Sequence, residues 1–473
     1  MQRLPRLIVF LSIVIISILL FASLGDIPLS SLNEGRRALV VLEMYQNHAW
    51  LLPTMNGNLY LSKPPLFYWI ALAFSSLLGG VSELSVRLPS ALAGASVLWV
   101  TYYTGCKYFS KFVAIFATIL LAANLEFALM ARRAEIEMLL TLFCMAAWLC
   151  FMQFVQTKSL RMLILSYVLL ALAVMTKGPV AMLFVTLPAM IYGVLYHDTS
   201  VIKYFTYLRA WLIFFVLAGT WYLVVSAQLG FDIWANVIQR DMVDKMQSEA
   251  SAKPILSYLG WMMADFYFLI TLTLYQGKNF TQQLKQNKPA LLLFLGALVP
   301  FIIFSIFSSK HNKYLLPIYP LVSLLVALQV SYLGQHGREK FAQWMLALGL
   351  IILSMLIIFY LVFEKHYFHY RFSAFEQFSK WQTQYSAIPL VSLKPVDSRL
   401  IFYAGKSIKV EKMSNLQFLS DQHQSILIVA EENPIKFDNS ISACTIQILK
   451  SYKKKSKILY VYGIGKVCEH GVQ

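Results

Sequence analysis

The chain has 473 residues, of which 58% are hydrophobic and only 13% are charged. Soluble domains carry about 25% charged residues, so this composition excludes an ordinary soluble protein and indicates a membrane protein. The net charge of +17 could suit a nucleic-acid-binding protein, but the basic residues are spread through connections between apolar runs and form no nucleic-acid-binding motif. Anionic lipid or a phosphorylated substrate is the expected partner.

The apolar runs predict an α-helical polytopic membrane protein with about 11 transmembrane helices. The first run, Leu7–Leu24, is long for a signal peptide and lacks a clear cleavage site, so we interpret it as an uncleaved helix. The other spans are expected near residues 89–106, 112–130, 138–155, 163–175, 180–196, 210–228, 257–275, 289–308, 315–333 and 342–363. Pro64–Leu78 is apolar but short, and we expect it to lie in the membrane interface.

The distribution of Lys and Arg predicts the orientation. With the N-terminus in the cytoplasm, the inner connections are about twice as dense in basic residues as the outer ones. An odd number of spans then places the C-terminal part outside the cytoplasm. We therefore predict a transmembrane domain, 1–363, with amphipathic helices in its first outer loop, 25–86, and a small extracytoplasmic α/β domain, 364–473.

The C-terminal domain is polar and contains three short β-rich runs, Ile388–Leu393, Ile426–Ala430 and Ile458–Tyr462. Its two cysteines, Cys444 and Cys468, can form a disulfide if the domain faces an oxidising compartment. The cysteines of the apolar runs are interpreted as packing residues. The sequence has no Cys/His spacing typical of a metal site.

Charged residues cluster in the first outer loop. Ser31 and Glu34 have the spacing of a capping box, which explains Glu34 as a structural residue but does not explain the adjacent Arg36 and Arg37. Farther along, Lys63 precedes two prolines, which force an extended entry into a helix. Lys63 could meet a lipid phosphate there, or it could be a lysine that extends its ammonium group to the surface.

Three further outer connections carry charge. Residues 132–138, Arg-Arg-Ala-Glu-Ile-Glu-Met, place four charges in a link of seven residues, which is costly unless the charges are paired or functional. Thr176-Lys177-Gly178-Pro179 and Lys310-His311-Asn312-Lys313-Tyr314 form the other two connections. We expect all of these segments to converge on the outer face.

The motifs resemble those of the bacterial lipid A aminoarabinose transferase family, which is related to the protein O-mannosyltransferases. The resemblance covers roughly residues 1–335 and follows the family's order. It is carried by Asn33-Glu34-Gly35-Arg36, Lys63-Pro64-Pro65-Leu66-Phe67-Tyr68-Trp69, Arg87-Leu88-Pro89-Ser90-Ala91-Leu92, Thr176-Lys177-Gly178-Pro179 and Lys313-Tyr314-Leu315-Leu316-Pro317-Ile318-Tyr319-Pro320.

The resemblance implies a glycosyltransferase of the bacterial inner membrane with a periplasmic active site. Its donor would be a sugar linked to polyprenyl phosphate, and an acceptor such as a lipid A phosphate would attack the anomeric carbon with inversion. The implied site residues are, for catalysis, Asn33, Glu34 and Glu137; for the donor phosphate, Lys63, Arg36 and Lys177; and for substrate, Arg133, Lys313 and Tyr314.

Two departures from the family pattern change these expectations. Asn33 stands where the family usually has an aspartate that is thought to be catalytic, and an amide cannot accept a proton as a base. Members of the family can also bind a metal through two side chains. One is a glutamate directly before the lysine of the Lys-Pro-Pro motif, which is Lys63-Pro64-Pro65 here, and the other is a histidine in a later outer loop. Here those places hold Ser62 and Ser251–Ala252, so we expect no metal and no cofactor.

Three alternatives remain open from the sequence. The same chemistry could modify a hydroxyl of a protein or a glycan. The chain could instead be a transporter or flippase for a lipid-linked sugar, although it shows no internal symmetry between its halves and its charges lie at one surface. It could also be an inactive family member that only binds polyprenyl phosphate, as Asn33 would allow.

Overall fold

A computed structural model describes residues 6–239, 253–267, 270–271, 277–335, 339–437, 443–450 and 458–468. The chain divides into two compact units. The first contains residues 1–22, 61–70 and 87–358, and the second contains residues 23–60, 71–86 and 359–473. Residues 23–60 and 71–86, which were predicted to belong to the transmembrane domain, lie in the second unit.

Helices make up nearly all of the first unit. Their bounds, including two helices that also enter the second unit, are α1 Arg6–Phe21, α3 Leu66–Leu77, α4 Glu83–Tyr108, α5 Lys111–Ala122, α6 Leu125–Ala131, α7 Ile136–Thr157, α8 Leu160–Lys177, α9 Thr186–Tyr196, α10 Thr199–Thr206, α11 Leu208–Phe214, α12 Thr220–Leu229, α13 Asp232–Ile238, α14 Ser257–Asp265, α15 Gly277–Gln286, α16 Lys288–Ile306, α17 Tyr319–Gln335 and α18 Glu339–Ile358. Short 3-10 helices precede α9 and α17, at Pro179–Phe184 and Asn312–Ile318, and a π-helix, Phe215–Gly219, joins α11 to α12.

Eight helices of the described residues are long and apolar enough to cross a membrane, or nine if one bent pair is a single span. The protein is therefore a multi-pass membrane protein. Of the predicted spans, 257–275 is only partly described, and α1 begins next to residues outside the described part of the chain. Residues 240–252, which include part of the predicted connection between spans 210–228 and 257–275 and the Ser251–Ala252 position, also lie outside the described residues.

The predicted span 112–130 is a broken helix. It consists of α5 and α6, which meet at an angle of 70°. Asn124 causes a new helix to begin there, because its side-chain oxygen accepts a hydrogen bond from the Phe127 amide at 3.0 Å. Elsewhere in the unit α7 and α8 form an antiparallel hairpin, and α17 packs against α5, α16 and α18.

Helices in lipid gain little from the hydrophobic effect and depend on close packing, for which small residues are suited. Gly105 in α4 shows this at the hairpin with α5. A Cβ atom at this position would lie 2.5 Å from the Cα atom of Ala114. The two backbones therefore approach more closely than any other residue would allow.

The second unit contains α2 Leu32–Gln46, a two-stranded ribbon (β1 Thr54–Met55 and β2 Asn58–Leu59), α19 Glu364–Gln384, α20 Ser398–Ala404, α21 Leu416–His423 and a five-stranded sheet. The strands of the sheet are β3 Leu390–Ser392, β4 Lys409–Val410, β5 Ser425–Glu431, β6 Ala443–Lys450 and β7 Ile458–Gly465, in the order β4-β3-β5-β7-β6. β3 pairs in parallel with β4 and β5, and the other pairs are antiparallel. The small C-terminal sheet region is confirmed: β3, β5 and β7 coincide with the three predicted runs, whereas β4 and β6 were not predicted.

The core of this unit joins segments that are far apart in sequence. Leu39 of α2 lies in one apolar cluster with Phe375, Leu400, Leu427 and Val461. α2 also packs directly on α20. Gly35 makes this possible, because a Cβ atom there would lie 2.5 Å from Cγ of Arg399. The first outer loop thus supplies a structural helix of the second unit.

Cys444 of β6 and Cys468 after β7 form a disulfide, with their Cα atoms 5.8 Å apart. β6 and β7 are neighbours in the sheet, so the bond links an edge strand to the chain that leaves the adjacent strand. The pairing that the sequence left open is therefore present in the structure.

Candidate functional site

Two buried carboxylates lie where α7 begins. Glu135 is the N-cap residue of α7, and Glu137 lies in its first turn. Ser90 of α4 fixes this turn: its hydroxyl donates to the Glu135 carbonyl at 3.0 Å and accepts from the Glu135 amide at 3.1 Å. A helix N-terminus favours negative charge, so the position suits ionised carboxylates.

Two lysines from other elements pair with these carboxylates. Lys177, the last residue of α8, places its Nζ 3.3 Å from Oε1 of Glu137. Lys313 places its Nζ 3.1 Å from Oε2 of Glu135 and 3.6 Å from Oε1 of Glu137. The carboxylate side chains are 3% exposed and the lysine side chains 13–14% exposed, so this carboxylate–lysine cluster is shielded from solvent but accessible on its lysine side.

Aromatic residues border the cluster. The Nζ atom of Lys177 lies 4.7 Å from the ring centroid of Tyr314, within cation–π range. The ring of His311 contacts Tyr314 edge to face at 5.1 Å. Burial and the nearby ammonium groups of Lys313 and Lys253 lower the pKa of His311, which favours the neutral imidazole.

The adjacent arginines of the 132–138 link have different environments. Arg132 is buried and donates to the carbonyls of Leu19 at 2.6 Å and Ala22 at 3.0 Å, where it caps the C-terminal end of α1. A cation at a helix C-terminus satisfies carbonyls that the helix leaves open. Arg133 is half-buried and interacts with the carboxylate of Glu126 on α6. Arg132 is therefore structural, and Arg133 is the one predicted for substrate.

Asp265 is a further acidic residue of the first unit, and it was not predicted from the sequence. Asp265, at the end of α14, accepts hydrogen bonds at Oδ2 from Nδ2 of Asn312 at 2.9 Å and from the hydroxyl of Tyr319 at 2.5 Å. Asn312 and Lys313 are adjacent in one 3-10 helix, so this helix contacts both Asp265 and the carboxylates at the start of α7. The available signal was an acidic residue inside an apolar run, which is a functional candidate by default.

Lys63 lies in the first unit just before α3. Its Nζ donates to the carbonyl of Ser62 at 2.7 Å, and the two following prolines are buried. The serine places only a hydroxyl where the family can offer a carboxylate to a metal, and hydroxyls are poor ligands by comparison. No group of three or more His, Cys, Asp or Glu side chains is arranged as a metal site among the described residues. Ser62 therefore does not fit the metal that members of the family can bind at this position.

The remaining predicted residues belong to the second unit, on the first turns of α2. Ser31 caps this helix and accepts from the Glu34 amide at 3.1 Å, while the buried Glu34 carboxylate accepts from the Ser30 amide at 2.7 Å. The capping function that the spacing indicated is thus present. Asn33 is half-buried and Arg36 is exposed, whereas Arg37 is buried and donates to the Tyr60 hydroxyl at 3.0 Å.

The structure therefore brings Glu137, Lys177, Lys313 and Tyr314 together within the first unit. Asn33, Glu34 and Arg36 form a separate group in the second unit. Chemically, the cluster offers two carboxylates that can accept a proton or orient a nucleophile. It also offers two ammonium groups that can exchange a carboxylate for a phosphate oxygen.

Fold and site together define a polytopic membrane protein with a charged cluster where its helices end. Residues 62–223 match the family described as dolichyl-phosphate-mannose-protein mannosyltransferase. An uncharacterized protein of Aquifex aeolicus is 25% identical over 346 residues, which cover 72% of this chain and 76% of that protein. The undecaprenyl phosphate-alpha-4-amino-4-deoxy-L-arabinose arabinosyl transferase of Pectobacterium atrosepticum is 26% identical over 68% of this chain and 60% of its own length.

The fold agrees with these sequence matches. The crystal structure of ArnT from Cupriavidus metallidurans in the apo state superposes with a TM-score of 0.78 at 15% identity and covers 96% of this chain and 97% of that one. The resemblance found in the motifs is thereby confirmed: the chain is similar in sequence and in fold to the aminoarabinose transferases. The match spans only about 60% of the length of the arabinosyl transferase from Pectobacterium atrosepticum.

Proposed function

We propose that the protein is a membrane glycosyltransferase that moves a sugar from polyprenyl phosphate to an extracytoplasmic acceptor, with a lipid A phosphate as that acceptor. The observation that carries this proposal is the carboxylate–lysine cluster, in which Lys177 and Lys313 hold Glu137 at 3.3 and 3.6 Å. The matched arabinosyl transferases are named for an undecaprenyl phosphate sugar, and ArnT from Cupriavidus metallidurans has been solved bound to undecaprenyl phosphate. No cofactor is required for such a transfer.

The donor step breaks the bond between the anomeric carbon and the carrier phosphate. The bonding electrons remain on the phosphate, which becomes a dianion as it leaves. Lys63, assisted by Lys177, is proposed to stabilise this developing charge, because fixed cations aimed at a leaving phosphate lower the barrier. The ammonium group of Lys177 can stabilise this charge if it exchanges its carboxylate partner for an oxygen of the leaving phosphate.

The acceptor step forms a bond from an acceptor oxygen to the opposite face of the anomeric carbon. Glu137 is the proposed carboxylate for orienting that acceptor or removing its proton, and Arg133, Lys313 and Tyr314 are proposed to contact the substrate. The Glu34 carboxylate already accepts a hydrogen bond from the Ser30 amide, which leaves Glu137 as the better base. A phosphate acceptor is already an anion near neutral pH, so it tolerates Asn33 in place of a carboxylate.

We propose that the protein has 11 spans in the bacterial inner membrane, and that 364–473 forms an extracytoplasmic domain facing the periplasm. The denser Lys and Arg of the inner connections support this orientation. The Cys444–Cys468 disulfide supports it independently, because such bonds persist in oxidising compartments. A reporter that is active only in the cytosol, fused after Gln473, should be inactive. An active fusion would overturn the orientation.

The transfer is tested by mass spectrometry of lipid A from cells with the protein, without it, and with the Glu137→Gln variant. We expect a sugar-sized mass addition on a lipid A phosphate only with the unaltered protein. If the addition instead appears on a protein or glycan hydroxyl, the acceptor proposal is wrong and the donor proposal stands. If no molecule gains a sugar although the protein is present in the membrane, the transferase proposal fails.

A further inference from the structure

A second polar site lies at the opposite end of the first unit's helices. The carboxylate–lysine cluster is at the start of α7 and the end of α8, whereas Thr157 and Leu160 mark the other end of this hairpin. A helix of 22 residues is about 33 Å long, which is enough to cross the hydrocarbon core. Side chains beside the α7–α8 turn are therefore at the other membrane surface.

Three connections meet at that surface around one carboxylate. Asp198, the N-cap residue of α10, pairs with Lys288 of α16 at 2.8 Å and with Lys158 of the α7–α8 turn at 3.5 Å. It also accepts from the Tyr192 hydroxyl at 2.9 Å and from the Ser200 amide at 3.0 Å. Burial alone would raise the pKa of Asp198, but these hydrogen bonds outweigh burial and hold the pKa below its usual range.

A cavity of about 300 Å³ opens beside this carboxylate, and its lining residues are Tyr192, Tyr196, Asp198, Leu284, Lys285, Lys288 and Leu291. Three lysines lie at or beside the cavity: Lys158, Lys285 and Lys288. The single negative charge of Asp198 neutralises one of them, so the net charge here is about +2. The exposed side chain of Lys285 is directed to a cavity whose other charges already have partners. The cavity therefore attracts an anion.

The wall formed by α9 adds a lipid-facing side. Tyr192 and Tyr196 stack with ring centroids 5.4 Å apart, and tyrosines are enriched at membrane interfaces. Between them, Val194 and Leu195 are 67% and 60% exposed, and exposed aliphatic residues on a membrane helix face acyl chains. The cavity is thus lined by lysines and also has an apolar wall, formed by α9, that is open to lipid.

We propose that this cavity binds the phosphate head group of an anionic phospholipid, at the membrane surface opposite the proposed transfer site. A soluble phosphate shares the head-group chemistry but leaves the exposed aliphatic wall of α9 without a partner. Basic pockets between membrane helices bind anionic head groups in this way. The volume matches a head group rather than a whole lipid, so the acyl chains remain in the bilayer. The bound lipid would hold the connections of Lys158, Asp198 and Lys288 together.

The test uses the purified full-length chain in an uncharged detergent. Thermal unfolding is followed while phosphatidylglycerol, phosphatidylcholine or inorganic phosphate is added, and native mass spectrometry counts retained lipid. We expect phosphatidylglycerol to raise the melting temperature by several degrees and to remain bound, and the other two additives to have no effect. Equal effects of phosphatidylglycerol and phosphatidylcholine would overturn the proposal, and so would full competition by inorganic phosphate.

The matched variants are Lys285→Gln and Lys111→Gln. Both lysines are exposed and lie at the same membrane surface, but Lys111 begins α5 and does not line the cavity. Each lysine near an anionic lipid contributes a factor of about fivefold in binding. We therefore expect Lys285→Gln to weaken phosphatidylglycerol binding about fivefold and Lys111→Gln to leave it unchanged. Equal binding by the two variants would refute the site, whatever their transfer activity.

Discussion

Replacing Glu137 by glutamine removes the carboxylate on which the proposed site is centred while keeping the shape of the side chain. At an effective dielectric of about 20, each contact of Glu137 with Lys177 and Lys313 has a gross attraction of about 4–5 kcal/mol. Desolvation cancels much of this attraction, and breaking a buried pair costs about 3–5 kcal/mol. Lys313 keeps Glu135 as a partner at 3.1 Å, so we expect a loss of stability near the lower end of that range.

The effect on turnover distinguishes a chemical role from a structural one. If Glu137 orients or deprotonates the acceptor, turnover in Glu137→Gln should fall about 100-fold or more. Binding of polyprenyl phosphate should be unchanged or tighter, because Lys177 is released from its carboxylate. Both quantities can be measured with purified protein, by release of polyprenyl phosphate and by equilibrium binding of the carrier.

The matched control is Glu43→Gln. Glu43 is also a buried carboxylate, and it accepts hydrogen bonds from Thr54 at 2.5 Å and from the Gly57 amide at 3.2 Å, within the second unit. This variant should lose a similar amount of stability and keep its turnover per folded molecule. Turnover in Glu137→Gln within twofold of the unaltered protein would show that the cluster is only structural.

Other predictions concern residues outside this cluster. Lys63→Ala should abolish transfer and leave the protein folded, and Lys63→Arg should retain part of the activity because charge is kept while geometry changes; normal turnover in Lys63→Ala would remove the proposed donor-phosphate contact. Asn33→Asp should lower activity because a new carboxylate would repel an anionic acceptor, and a large gain in rate would instead indicate an impaired enzyme. Because Ser62 cannot replace a carboxylate ligand, EDTA should leave turnover unchanged. Loss of activity in EDTA that zinc restores would contradict this prediction.

Apolar run length was enough to predict most helices of the first unit. The run at 138–155, for example, is α7, Ile136–Thr157, in the structure. The length of an apolar run carries no information on the direction of the helix axis, so the bend of 70° at Asn124 could not be predicted from hydropathy. The capping preference of asparagine was the only local signal of a new helix start.

The candidate site was predicted in part. Charged residues in short outer connections indicated Glu137, Lys177 and Lys313, because unpaired charges beside a membrane are costly and must find partners. The sequence could not distinguish Arg132 from Arg133, since the partners of Arg132 are carbonyls more than 100 residues away. It also could not predict that α2 packs on α20, a contact that depends on Gly35 lying against Arg399.

The proposed function requires the protein to break the bond between a sugar and polyprenyl phosphate. The most direct measurement uses the purified protein in sealed vesicles with a sugar–phosphate polyprenyl donor and lipid A, and quantifies free polyprenyl phosphate and glycosylated lipid A by mass spectrometry. We predict that both products appear in equal amounts and that Lys63→Ala yields neither. Movement of the intact donor across the vesicle membrane without release of polyprenyl phosphate would identify a transporter and exclude the proposed transferase activity.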